Sequence, residues 1–156
     1  MTRPRETSYP LGRELEFLER IWRINHAMQR VSSRMARELG LTGPQRLIIR
    51  CVGKYPGLTA SQLAAMLHLD RGTVSAALNR LEDKGWLERR GDPVDGRRVS
   101  LGLTAVGREL DRPTAHTIEA AVQQLLQTAN KTDVEATTRV LDALAEALER
   151  DAERED

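Results

Sequence analysis

Between Leu11 and Leu39 apolar residues recur in steps of three and four: Leu11, Leu15, Leu18, Ile21, Trp22, Ile24, Met28, Val31, Met35 and Leu39. Arginine and glutamate occupy much of the remainder. That period puts the apolar set on one face and predicts an amphipathic helix of roughly 43 Å, longer than a small lobe can cover. Gly40 ends it. Thr42-Gly43-Pro44 announces the next helix, with proline in the first turn, where its missing N–H costs nothing. Leu47, Ile48, Cys51 and Val52 form its expected buried stripe, and Gly53 with the Tyr55-Pro56-Gly57 turn stops it.

Two shorter periodic segments follow. Thr59 and Gln62 have capping-box spacing, Leu58 is placed to staple onto Leu63, and the helix runs to about Leu67. After His68-Leu69, Asp70 caps a second helix with Val74, Leu78 and Leu81 inward, and Gly85 terminates it. Two short capped helices around a three- or four-residue turn make a helix-turn-helix. Trp86 to Arg90 and Val99 to Leu103 then read as strands joined by "GDPVDGRR". A helix-turn-helix followed by such a hairpin is a winged helix.

From Thr104 the helical period returns. It predicts one capped segment to about Ala129, kinked at Pro113. After a break at Asn130-Lys131-Thr132, a final helix carries Val134, Leu141, Leu144 and Leu148 on one stripe. The expected fold is mainly α with a small β-hairpin. Its winged helix-turn-helix lobe spans 41–103, and helical segments 11–39 and 104–152 form a dimerisation region, all in one continuous domain. The dimer is expected because two amphipathic ends flanking a compact lobe must bury their apolar faces somewhere.

Charge changes the picture once it is divided along the chain. Residues 1–58 carry 11 Lys/Arg against 5 Asp/Glu, while residues 105–156 carry 6 against 12. A polyanionic partner with an acidic region held away from it fits this asymmetry. The single cysteine excludes an internal disulfide and a multi-cysteine zinc site. The first residues lack a signal-type apolar core and no run approaches a membrane span, so a soluble cytoplasmic protein with no membrane partner is expected.

Enzyme chemistry is missing from the pattern. His26, His68 and His116 lie in separate elements without metal spacing, and there is neither a glycine-rich phosphate loop nor a serine nucleophile elbow. No cofactor and no metal are expected. Cys51, among Leu47, Ile48 and Val52, reads as a packed thiol.

The second helix of the motif does carry usable chemistry. Arg71, Ser75 and Asn79 recur at i, i+4 and i+8, with Gly72 and Ala76 beside them and no acid until Glu82. Donors, acceptors and small residues on one face suit base edges in a major groove, and Thr73 and Arg80 flank that face where phosphates would pass. In the wing, Arg97 and Arg98 are placed for the negative potential of a minor groove. Asp95 is expected to accept hydrogen bonds from the turn or from Arg89 or Arg97, holding the wing in shape.

The element order and the run Asp95-Gly96-Arg97-Arg98-Val99-Ser100-Leu101-Gly102-Leu103-Thr104-Ala105-Val106-Gly107 resemble the MarR family of bacterial transcriptional regulators. "LTGPQ" at 41–45 and "LEDKGWLERR" at 81–90 are also similar to family stretches, and the resemblance spans roughly residues 11 to 150. Gly96 stands where a basic residue is common. The resemblance implies a homodimer with interdigitating first and last helices, bound to a pseudo-palindromic DNA operator and usually repressing. It gives Arg71, Thr73, Ser75 and Asn79 the major-groove role and Arg97 the minor-groove role. It further implies a small, often aromatic effector that releases DNA, with Trp22, His26 and Arg30 as the candidate pocket. The rival reading is a winged helix used for protein contacts, without its own operator. Such a surface calls for exposed aromatics or leucine at positions 71, 75 and 79, which are absent.

Overall fold

The computed structural model of the chain describes residues 11–91, 93–95 and 98–155. Helices α1 (Arg13–Glu38), α2 (Gly43–Lys54), α3 (Ala60–Leu67) and α4 (Arg71–Asp83) lead into strands β1 (Leu87–Gly91) and β2 (Val99–Leu103). Helices α5 (Ala105–Leu110), α6 (Ile118–Thr128) and α7 (Lys131–Ala152) follow, with a 3-10 turn at Glu153–Glu155. The chain forms two compact units, one ending at Pro113 and the other starting at Thr114.

Local side-chain caps set where the central helices start. Thr42 and Thr59 each close a full capping box, with Gln45 and Gln62 returning the bond to the cap N–H. Asp70 accepts from the Thr73 N–H at 2.8 Å. With their starts fixed, α2, α3 and α4 turn Ile48, Ile49, Val52, Leu63, Ala64, Val74, Leu78 and Leu81 into one core. Leu87, Leu101 and Leu103 close it from the antiparallel hairpin, whose register pairs Leu87 with Leu103 and Gly91 with Val99. The α2–α3 connection also joins β2, because the Leu101 N–H donates to the Leu58 carbonyl at 2.7 Å. The wing is thereby tied to the helix-turn-helix by backbone as well as by side chains.

Helix α1 docks through its C-terminal end. Met35 is buried, and the Ser32 hydroxyl accepts from the first N–H of α2, Gly43, at 2.9 Å. Leu15, Leu18, Trp22 and Met28, nearer its N-terminal end, stay exposed. In the second unit α6 and α7 contain no buried residue, although Val122, Leu125, Leu126, Leu141 and Leu148 are apolar.

Three expectations are corrected. The stripe on α2 is rotated: Leu47 is exposed and Ile49 fully buried, with Cys51 half-buried. Apolar residues line too much of α2 for periodicity to choose; Ile48, Ile49 and Val52 enter the core, and Arg46 turns inward with them. The segment from Thr104 to Ala129 is two helices with a break, not one kinked helix. Pro113 removes a donor and pushes its predecessor out of helical geometry, and Thr117 starts a new helix by accepting from the Ala120 N–H. Finally, β1 starts at Leu87; Trp86 lies in the turn beneath Lys84, whose ammonium sits 4.3 Å from the ring centroid.

Arg46 was not legible as a structural residue. It is buried, donating from Nη1 to the Leu110 carbonyl at 2.6 Å and from Nη2 to the Arg112 carbonyl at 2.8 Å. One turn on, Arg50 pairs with the Asp111 carboxylate at 2.8 Å, and Gly53 leaves the space that carboxylate fills. The cations of α2 thus meet the electronegative C-terminal end of α5.

Candidate nucleic-acid interface

The turn between α3 and α4 decides which face of α4 looks outward. His68 adopts a left-handed conformation (φ 51°), and the Leu69 N–H returns to the Ala64 carbonyl at 3.0 Å, ending α3. Asp70 then starts α4, and its buried side is Val74, Leu78 and Leu81. The opposite side carries Arg71, Gly72, Ser75, Ala76, Asn79 and Arg80, all exposed. Gly85 (φ 68°) ends the helix in a backbone conformation that glycine adopts freely.

Thr104 fastens this helix to the wing. Its hydroxyl donates to the Gly85 carbonyl at 2.7 Å and accepts from the Gly107 N–H at 3.0 Å, while its own N–H donates to the Trp86 carbonyl at 3.2 Å. Gly107 packs against that same carbonyl so closely that a Cβ would stand 1.9 Å from its oxygen. The Leu-Thr-x-x-Gly run of the sequence is therefore the joint of α4, β1, β2 and α5.

The basic residues fall into two groups. Arg89 on β1 pairs with Glu82 of α4, and its Nη2 donates to the Asn79 Oδ1 at 3.0 Å. Arg90 pairs with Glu88 and lies across Gly102, where a Cβ would meet its guanidinium carbon at 3.2 Å. Arg71, Arg80 and Arg98 form no ion pair among the described residues. Arg71 and Arg80 on α4 and Arg98 in the wing are therefore available to a polyanion.

Several predicted roles shift in detail. The Thr73 hydroxyl, expected beside phosphates, also donates to the Asp70 carboxylate and so completes the cap of α4. Those bonds hold the Asp70 carboxyl below its usual range, chiefly the one from the Thr73 hydroxyl and next the one from its N–H. Arg89, expected to brace Asp95, is instead a strap to α4. The Asp95 carbonyl accepts from the Arg98 N–H at 2.9 Å, a turn inside the wing. Arg97 lies outside the described residues. Trp22, His26 and Arg30 share one exposed face of α1 at i, i+4 and i+8.

Residues 39–98, from the end of α1 through the wing loop, match the model of the MarR family. These residues form a MarR-family domain. Among curated members, the chain is 34% identical over 90 residues to the HTH-type transcriptional regulator TtmR of Methylorubrum extorquens, covering 58% of this chain and 46% of that protein. The chain thus spans about half the length of TtmR. The HTH-type transcriptional repressor Rv2887 of Mycobacterium tuberculosis is 28% identical over 106 residues, 68% of this chain and 76% of that protein. Among solved structures, Streptococcus pneumoniae FabT in complex with DNA superposes with a TM-score of 0.63 at 28% identity, covering 86% of this chain and 94% of FabT. Streptomyces coelicolor PcaV in complex with its natural ligand gives 0.67 at 26% identity, covering 92% and 99%. MarR-family members are winged-helix transcriptional regulators, not enzymes.

Proposed function

We propose that this chain is a sequence-specific DNA-binding transcriptional regulator that represses from a pseudo-palindromic operator as a homodimer. One observation carries the reading. The outer face of α4 presents Arg71, Ser75 and Asn79 without an acid, on a helix whose other face is locked into the core. Such a helix inserts into a major groove with Arg80 at the phosphates, while Arg97 and Arg98 of the wing reach the adjacent minor groove. FabT, a relative of similar architecture, is solved on DNA, and Rv2887 is named a repressor.

Dimerisation through 11–39 and 104–152 is supported by the apolar residues of α6, α7 and the N-terminal part of α1 that stay exposed among the described residues. The lobe 41–103 then serves as the reading head. A small, aromatic effector that releases DNA is supported by the ligand-bound PcaV structure, with Trp22, His26 and Arg30 on α1 as its contacts. The test is recovery of bound fragments from random or genomic DNA, with and without aromatic acids. A two-fold motif with half-sites one helical turn apart supports the reading. Failure to enrich any motif, with retained winged-helix folding, assigns the lobe to protein contacts instead.

A further inference from the structure

Arg89 and Asn79 come from different elements, the wing strand β1 and the exposed face of α4, yet their polar ends meet at 3.0 Å. A guanidinium has only donors, so whichever end of the Asn79 amide faces it must be the oxygen. Glu82, three residues along α4, pairs with the same guanidinium and fixes it in place. No described residue accepts from the Asn79 Nδ2, and Asn79 is exposed. The amide is therefore oriented before any contact is made, with one lone pair of its oxygen taken and its NH2 without a partner among the described residues.

We infer that Arg89 is a positioning residue for base reading: by holding the Asn79 oxygen it biases this position of α4 toward donating, and so toward guanine over adenine. This rests on α4 being the DNA-contacting helix. An unconstrained asparagine reads adenine bidentately, accepting from N6 and donating to N7. With one lone pair of its oxygen engaged by Arg89 and the amide plane thereby held, Asn79 cannot turn its second lone pair freely toward adenine N6, and the accepting half of that pairing is weakened. Guanine instead offers two acceptors, N7 and O6, on one major-groove edge, and so fits the Asn79 NH2. The Glu82–Arg89 pair also neutralises the guanidinium, so Arg89 acts through Asn79 and not as a phosphate contact.

The test is selection from a random duplex library with the unaltered full chain, Asn79→Ala and Arg89→Met, each shown by circular dichroism to be folded. Arg89→Gln, which can accept as well as donate, releases the same constraint should Arg89→Met unfold. The position to watch is the one whose preference flattens in Asn79→Ala. There the unaltered protein should favour guanine over adenine by about tenfold, within the range of a good base contact. In the Arg89 variants that ratio should fall to about one or invert, with preferences elsewhere unchanged. A merely structural Arg89 would weaken binding at every position without changing which base is chosen at one. Adenine at that position in the unaltered protein, or guanine kept by the Arg89 variants, overturns the inference. If Asn79→Ala flattens no position while a motif is still enriched, the inference falls and the DNA-binding reading stands. If no motif is enriched by the unaltered chain, both fall.

Discussion

Gly107→Ala sets two effects of opposite sign against each other. Gly107 lies in the first turn of α5 with ordinary negative φ, so alanine there relieves the glycine penalty and stabilises the helix by up to about 1 kcal/mol. Against this, the new Cβ would stand 1.9 Å from the Trp86 carbonyl oxygen. Relief to ordinary contact requires a shift of about 1.5 Å, and overpacking on that scale costs about 1–3 kcal/mol or more. The obstructing atom is backbone, and it already accepts from the Thr104 N–H. Moving it strains that bond and the Thr104–Gly85 bond, each worth about 1 kcal/mol. The steric term wins, and a net loss of about 2–4 kcal/mol is expected. For a chain of this size that is a fall of about 5–15 °C in Tm. Urea unfolding followed by circular dichroism at matched protein concentration measures it, with Gly91→Ala as control. Gly91 has nothing within 4 Å of its would-be Cβ, so its variant should match the unaltered protein. Equal stability of Gly107→Ala, or an equal loss in Gly91→Ala, would refute the idea that the α4–wing–α5 joint is closed by steric fit.

Arg46→Met should cost about 2–4 kcal/mol in the same assay, because it takes the buried guanidinium away from the carbonyls of Leu110 and Arg112. Arg50→Met, at a partly exposed pair, should cost under about 1 kcal/mol; the reverse order would mean the clamp is misassigned. The stability lost in Asp70→Ala should depend on pH. The folded carboxyl is held below its usual range, so its contribution is complete above about pH 4 and is lost as pH falls through the lowered value. A gap between the two proteins that persists unchanged to pH 2 would contradict this. Burial pushes the Cys51 thiol up despite nearby Lys54, so its alkylation at neutral pH should be slower than that of free cysteine. A faster rate would show an activated thiolate. Deletion of 131–156 should give a monomer with greatly weakened operator binding, and sedimentation of an intact dimer after that truncation would remove α7 from the interface.

Signals that act within a single turn of chain were legible in the sequence. Thr59, Asp70 and Thr104 each cap a helix through a residue three positions away, so spacing alone located α3, α4 and α5 at their starts. The change of period from 3.6 to 2 located the wing, and with α4 placed between cap and Gly85, its outward Arg71, Ser75 and Asn79 followed from geometry. What tertiary structure alone decided involves backbone brought from far along the chain. Arg46 is buried because the carbonyls of Leu110 and Arg112, more than sixty residues away, arrive beside it. That contact lies on the same side of α2 as Ile49, and Leu47 is left exposed. Arg89 likewise settled on α4, and not on Asp95, only when the hairpin laid β1 beside Glu82 and Asn79. A long, flexible, charged side chain reaches several partners from one sequence position, so its choice depends on which remote groups the fold delivers.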